Sequence, residues 1–303
     1  MQAYLGIEIG GTKLQLVAGD AYGNIHERLR FSIAADSGAA GIRQQIEKAL
    51  PGLVQKHKPA AIGVGFGGPV DWKTGKICRS HQIEGWSEFD LAGWLQSWTG
   101  LLAKVDNDAN VAALGEATFG AGKGLNPAFY VTLGSGVGGG LVVEGKIYHG
   151  ASPGEAEIGH VRLDRNGTTV ESRCSGWAVD RRIRKVTEQE PQSALAKLVH
   201  GSAGNEAQHL ATALRQGDVM ANRILTETAE DLAFGLSHVV HLFHPEIIIL
   251  GGGLSKLGEP LRGAVEKALP QFIMEAFAPG PRIAVTSLDE NAVPIGALIL
   301  ASA

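Results

Sequence analysis

The chain is poor in cysteine. Cys78 and Cys174 are the only two among 303 residues, too few for a disulfide framework and a pattern at home in a reducing compartment. It has no long apolar run either. The most hydrophobic stretch, Ile247 to Leu250, stops at three glycines, far short of the roughly 20 residues that cross a bilayer as a helix. Lys and Arg nowhere form a dense block and the formal net charge is -4, so a sequence-independent grip on nucleic acid or on an anionic membrane is not expected. The sequence enters a strand-like pattern at Tyr4 with no basic n-region or cleavage site before it, and a cytoplasmic location is expected. Long polar or proline-rich tracts are missing too, and a hydrophobic fraction of 44% with 19% charge describes a chain that folds throughout.

Glycine, by contrast, is abundant. The 42 glycines are about twice the usual share of roughly 7%, and they gather at the ends of apolar runs. Tyr4 to Ile9, Leu14 to Gly19 and Ile25 to Ile33 read as a three-stranded meander with Gly10-Gly11 in its first turn. Ile42, Ile46, Leu50 and Leu53 recur at helical spacing between Gly38 and about Lys56, and Ala60 to Phe66 follows as a short buried strand. Asp90 reads as the N-cap of a helix bearing Leu91, Leu95 and Trp98. A strand from Leu101 to Val105 then precedes a helix from Asp108 to Phe119.

The second half restarts the same grammar. Ala128 to Leu133 is strand-like, Gly134 to Gly140 a glycine-rich turn, Leu141 to Val143 a strand, and Lys146 to Tyr148 its hairpin partner. Two halves that each open on a hairpin around glycines suggest a duplicated fold binding a nucleotide between its lobes. Beyond Cys174 the chain is mostly helical, with a long helix from Asp218 to Phe243, the strand Glu246 to Leu250, and a last apolar helix, Ala292 to Ala301, expected to pack back on the first lobe.

Five segments carry chemistry. Gly6-Ile7-Glu8-Ile9-Gly10-Gly11-Thr12-Lys13 offers close backbone N–H groups, a hydroxyl and a cation, which is what a phosphate needs; an ordinary hairpin would look the same, and the Walker ending is missing. Thr132 to Gly140 and Gly63 to Gly68 both contain G-x-G-x-x-G, but strand or turn follows each, so the dinucleotide-binding context fails. Val105-Asp106-Asn107-Asp108-Ala109-Asn110 joins a strand end to a helix start. Asp there is most often a cap, yet the carboxyl ends of strands are also where such sheets place ligands, and a carboxylate at that point can take a proton from an attacking hydroxyl. Gly154 to His160, with Glu171 further on, gathers carboxylates and an imidazole for a polyol or for solvent; zinc wants four ligands and the only nearby cysteine is Cys174. Gly251-Gly252-Gly253 lets a flat ring approach the backbone, or is a plain strand-to-helix turn. His238, His241 and His244 read as packing or subunit-contact residues.

Together these motifs resemble the ROK family of sugar kinases and sugar-responsive repressors, especially its glucokinase and fructokinase members, over nearly the whole chain. Gly6 to Lys13 is similar to the family's first phosphate motif, Gly65-Phe66-Gly67-Gly68-Pro69-Val70-Asp71 to its G-x-x-G-P-V-D loop, and Val105 to Asn110 to its N-D-x-N element carrying the catalytic aspartate. Thr132 to Gly140 resembles the second phosphate motif and Glu157-Ile158-Gly159-His160 the sugar-binding E-x-G-H.

The resemblance implies an α/β, two-lobed actin-like fold, a duplicated ribonuclease H-like ATPase with its active site in the interlobe cleft. Residues 1–118 with 290–303 would form the smaller N-terminal lobe and 119–289 the larger C-terminal one. It implies Asp108 as general base, and Gly68, Asn107, Glu157, His160 and Glu171 as partners for sugar hydroxyls. Glu8, Gly10, Gly11, Thr12, Lys13, Thr132 and Gly134 would serve Mg²⁺-ATP at its phosphates, and Gly252 the adenosine. Glu8 stands where family kinases often carry Asp. The family's C-x-C-G-x-x-G-C zinc run is absent, its place taken by Asn166-Gly167-Thr168-Thr169-Val170, so no structural metal is expected.

The function implied is ATP-dependent phosphorylation of a hexose, glucose first, with fructose, mannose, allose or an N-acetylhexosamine as alternatives. A non-catalytic sugar sensor of the same family is the second reading, disfavoured because Asp108 is present and because the first phosphate strand begins at Tyr4, leaving no room for a DNA-binding helix-turn-helix. A NAD-dependent oxidoreductase fails on glycine context. The apolar-faced helix from Asp218 is compatible with a homodimer.

Overall fold

The computed structural model describes residues 2–11, 13–33, 38–78, 85–152, 154, 156–202 and 204–303. The first half contains β1 (Ala3–Ile9), β2 (Lys13–Asp20), β3 (Ile25–Ser32), α1 (Gly38–His57), β4 (Ala61–Phe66), the short pair β5 (Val70–Asp71) and β6 (Lys76–Ile77), α2 (Leu91–Thr99), β7 (Leu102–Asn107) and α3 (Asp108–Phe119). The second contains β8 (Ala128–Leu133), β9 (Val137–Val143), β10 (Lys146–Ile147), α4 (Val170–Cys174), α5 (Gly176–Gln189), α6 (Ala194–Val199), α7 (Leu210–Arg215), α8 (Val219–Phe243), β11 (Ile247–Gly251), α9 (Glu259–Ala268), β12 (Arg282–Val285) and α10 (Ala292–Ser302).

Two five-stranded sheets repeat one topology. Their orders, β3-β2-β1-β4-β7 and β10-β9-β8-β11-β12, are the same arrangement written twice: an antiparallel meander followed by two strands parallel to its first member. The echo in the glycine hairpins thus extends to whole sheets.

The chain divides into two compact units, Met1–Gly124 with Gly140–Ala156 and Ser287–Ala303, and Leu125–Gly139 with Glu157–Thr286. The sequence division placed 140–156 in the C-terminal lobe, whereas the segment groups with the first unit. The reason is local. A Cβ on Gly140 would lie 2.8 Å from both Ala109 O and Ala113 Cβ, so only glycine lets this part of β9 run against α3. The same residues correct a second expectation: Gly134 to Gly140 is not all turn, because β9 begins at Val137. Glycine's poor fit to strands hid a stretch selected for closeness.

In the first unit Ile42, Ile46, Leu50 and Leu53 of α1 are buried with Leu5, Ile7 and Val64 of the sheet, each worth about 1.5–3 kcal/mol. Asp90 caps α2 by accepting from Gly93 N at 2.9 Å. The apolar α10 packs on α3, β1 and β4, over glycines that make the space: a Cβ on Gly63 would collide with Ala297 O, and one on Gly296 with Val111 O. In the second unit Asp218 caps the long α8 through Ala221 N at 2.8 Å and also accepts from Leu195 N at 2.9 Å. Burial works against ionisation of Asp218, and these backbone N–H groups outweigh it, holding its carboxyl below the ordinary value. His238 and His244 are packing residues, the first bonded to Phe234 O, the second stacked on Phe277 with ring centroids 4.1 Å apart. No helix among the described residues is long and apolar enough to cross a membrane.

Candidate active site

In the first unit, parallel register sets Ile9 beside Phe66 and Phe66 beside Asn107, so β1, β4 and β7 end in one row. Three connections leave from it: the Gly10-Gly11 turn, the Gly67-Gly68-Pro69 loop, and the start of α3 at Asp108. Gly67 N donates to Ile9 O at 2.8 Å. A Cβ on Gly67 would lie 3.4 Å from Asp108 Oδ2, 3.4 Å from Ile9 O and 3.5 Å from Gly10 Cα. The Asp108 carboxylate therefore stands close over Gly67, with the first glycine turn beside it. Gly10, Gly68, Asn107 and Asp108, drawn from three separate motifs, come together here.

Asn107 is the N-cap of α3. Its Oδ1 accepts from Ala109 N at 2.8 Å and Asn110 N at 3.3 Å, while its Nδ2 donates to Gly68 O at 3.1 Å. Both oxygen lone pairs are thus taken, and one amide hydrogen remains for a further acceptor. Asn110 Oδ1 is buried with no hydrogen-bond partner, an acceptor suited to a donor from outside the chain.

Glu8 lies at the end of β1, its side chain 11% exposed, paired with Lys13 Nζ at 3.0 Å and accepting from Gln15 Nε2 at 2.6 Å. Burial pushes the Glu8 carboxyl above its usual value, against the opposing pull of Lys13 and Gln15. Gln15 Oε1 in turn accepts from Arg28 and Arg30, so Lys13 is held by Glu8 within a cross-strand polar chain. Gly11 follows in the turn; Thr12 lies outside the described residues. Among the described residues no three His, Cys, Asp or Glu side chains group to hold a metal ion. Mg²⁺ held by one or two carboxylates plus phosphates and water needs no such cage, and Glu8 and Asp108 are two of the carboxylates at this edge.

In the second unit, Thr132 pairs with Gly251, which brings the turn after β11 beside the turn after β8. Gly252 has φ +79°, and a Cβ there would lie 2.6 Å from Leu133 N, a position only glycine fills without strain. Gly134 O accepts from Gly176 N at 2.7 Å. Glu171 Oε2 accepts from Val137 N at 2.9 Å. The turn at 158–160 rests on β9, since a Cβ on Gly159 would collide with Val137 O, and it carries Glu157 and His160 with both residues exposed. Val170 N donates to Val161 O at 3.0 Å, tying this turn to the start of α4 and to Glu171. Thr132, Gly134 and Gly252 form one group; Glu157 and His160 flank the turn whose Gly159 lies against Val137 O, and Glu171 binds Val137 N.

Where the resembled family would carry its cysteines, the chain makes a tight hairpin. Asp164 Oδ1 accepts from Asn166 N at 2.7 Å and Thr168 N at 3.1 Å, and Leu163 N donates to Thr168 O at 2.8 Å. Thr169 then opens α4 with a capping box closed by Ser172. Two side chains that the sequence did not single out, Asp106 and His149, are wired into the first unit's edge at 2.6 Å; they stand 43 positions apart with no motif linking them.

An α/β chain that repeats one five-strand order, ends both sheets on glycine turns and sets a carboxylate beside one of them has the actin-like, duplicated ribonuclease H-like ATPase fold. The ROK family model matches residues 4–303. The glucokinase of Thermotoga maritima is 30% identical over 301 residues, spanning 97% of this chain and 95% of that protein. That of Halalkalibacterium halodurans is 32% identical over 309 residues, spanning 97% and 93%. The crystal structure of a ROK family glucokinase from Streptomyces griseus in complex with glucose and AMPPNP matches with a TM-score of 0.86 at 30% identity, covering 99% of each chain. The chain belongs to the ROK family.

Proposed function

We propose that this chain transfers the γ-phosphoryl group of ATP to glucose, forming glucose 6-phosphate and ADP. The observation that carries the reading is the Asp108 carboxylate over Gly67, at the edge where three parallel strands end. The full-length likeness to a glucokinase holding glucose and AMPPNP supports the choice of substrates. In this reading the sugar hydroxyl oxygen attacks the γ-phosphorus as the bond to the ADP oxygen breaks. Asp108 takes the hydroxyl proton, a contribution of about 10²–10⁴-fold. Asn107, Gly68, Glu157, His160 and Glu171 would hold sugar hydroxyls. Gly10, Gly11, Thr12, Lys13, Thr132 and Gly134 would meet the phosphates, and Gly252 the adenosine. Mg²⁺, near Glu8, would supply charge neutralisation on the phosphates.

The same proposal places the enzyme in the cytoplasm, which suits two cysteines that hold thiols rather than a disulfide. It includes a homodimer, for which the exposed Leu242 near the end of α8 and Met274, whose N–H donates to His241 Nε2 at 3.1 Å, are candidate contacts. A coupled ADP-release assay with Mg²⁺-ATP across hexoses and N-acetylhexosamines, beside a no-sugar control, tests it. Glucose is expected to give the highest kcat/KM. A different best sugar would reassign the substrate, and no sugar-dependent turnover, with glucose still raising Tm, would turn the reading to a sensor.

A further inference from the structure

We propose that His149 is a positioning residue for phosphoryl transfer, holding the strand end that presents Asp108 through the buried carboxylate of Asp106; this rests on the reading of Asp108 as base. Asp106 is 2% exposed and sits two residues before Asp108. Its Oδ1 accepts from Asn107 N at 2.8 Å and from Asn110 Nδ2 at 3.0 Å. Its Oδ2 accepts from His149 Nε2 at 2.6 Å. A carboxylate only accepts, so Nε2 carries the proton in this pair. Asp106 thus fixes the backbone of the capping residue and the side chain of Asn110, which together set how the first turn of α3 leaves the sheet. His149 fixes Asp106 in turn.

The imidazole is itself clamped. Its ring stacks on Trp72, with centroids 4.1 Å apart and planes 12° from parallel, and a Cβ on Gly154 would collide with His149 O, so the chain folds tightly behind it. Trp72 follows the Gly67-to-Asp71 loop, and Asp71 accepts from Ser152 Oγ at 3.4 Å. One side chain therefore joins three separate segments at the row of strand ends: the glycine loop, the β7–α3 junction and the connection after β10. All three lie in the first unit. Losing the Nε2 donor leaves an oxygen of a buried carboxylate unpaired, and Asp106 then turns to other donors and releases Asn107 and Asn110. A small misplacement of a reacting group costs up to about 10²-fold in rate.

Two substitutions separate the hydrogen bond from packing. His149→Phe keeps a ring against Trp72 and removes the donor; His149→Gln keeps a donor of similar reach and removes the ring. We expect kcat to fall about 10- to 100-fold in His149→Phe, with the glucose Kd changed by less than about threefold, and His149→Gln to recover most of the rate. Equal kcat in wild type and His149→Phe overturns the proposal. So does the reverse ranking of the two variants, which is what a packing role gives. Should His149→Phe not fold, His149→Ala is measured with and without added imidazole: recovery of kcat supports the proposal, and a folded variant that imidazole does not rescue overturns it. Asp108→Asn is assayed in parallel. Normal turnover there removes the base reading, whereas a dead Asp108→Asn beside a fully active His149→Phe removes only the role of His149.

Discussion

The backbone N–H of Val137 donates to Glu171 Oε2 at 2.9 Å, so a carboxylate expected at the sugar also holds the start of β9, directly after the second glycine turn. Gly136 makes room for it, since a Cβ there would stand 2.5 Å from the same oxygen. Gly136→Ala should therefore displace Glu171 and raise the KM for both glucose and ATP about tenfold or more. Glu171→Gln, whose amide oxygen can still accept from Val137, should affect ATP less than glucose. Steady-state kinetics with each substrate varied in turn checks both.

Glu8 gives a pH signature. Burial lifts its folded-state value above 4.5, outweighing Lys13 and Gln15, so the folded state binds this proton more tightly than the unfolded one. The contribution is fully present below pH 4.5 and is lost as pH rises through the folded-state value. In urea unfolding from pH 4 to 8, the stability of wild type minus that of Glu8→Gln should fall with pH and then level off.

The Asp164 hairpin stands where the resemblance to the family would put a zinc loop, and no structural metal is expected. The hydrogen bond from the Thr168 side chain, with those from backbone N–H groups, holds the Asp164 carboxyl below its usual value. A zinc chelator should leave Tm unchanged. Asp164→Ala should loosen the tie between 158–161 and α4, raising the glucose KM several-fold with kcat largely kept; thermal melts and initial rates read the two effects.

The glycines beneath α10 make a prediction about stability alone. A Cβ on Gly296 would collide with Val111 O, and the backbone can give way only by moving one helix off another. Gly296→Ala should cost about 1–3 kcal/mol, measured by urea unfolding.

Much of this was legible in the sequence because it is local. Ile42 to Leu53 carry their own helical period, Asp90 announces its cap, and glycines mark the turns after β1, β4, β8 and β11. What the sequence hid depends on register and on contacts between distant segments. Only the pairing of Ile9, Phe66 and Asn107 turns three motifs into one row of strand ends. The Asp106–His149 bond spans 43 positions, and the packing of Gly140 on α3, which moves 140–156 into the first unit, is a statement about space that glycine's identity alone does not make. Asn107 read as a sugar ligand, and its side chain proves largely occupied by the cap and by Gly68 O.

The base assignment of Asp108 is tested most directly by Asp108→Asn, with kcat followed by ADP release and glucose affinity by calorimetry. The amide keeps the size of the side chain and cannot take the proton, so kcat should fall about 10²–10⁴-fold while the glucose Kd stays within a few-fold of wild type. Turnover at the wild-type rate in that variant would contradict the account.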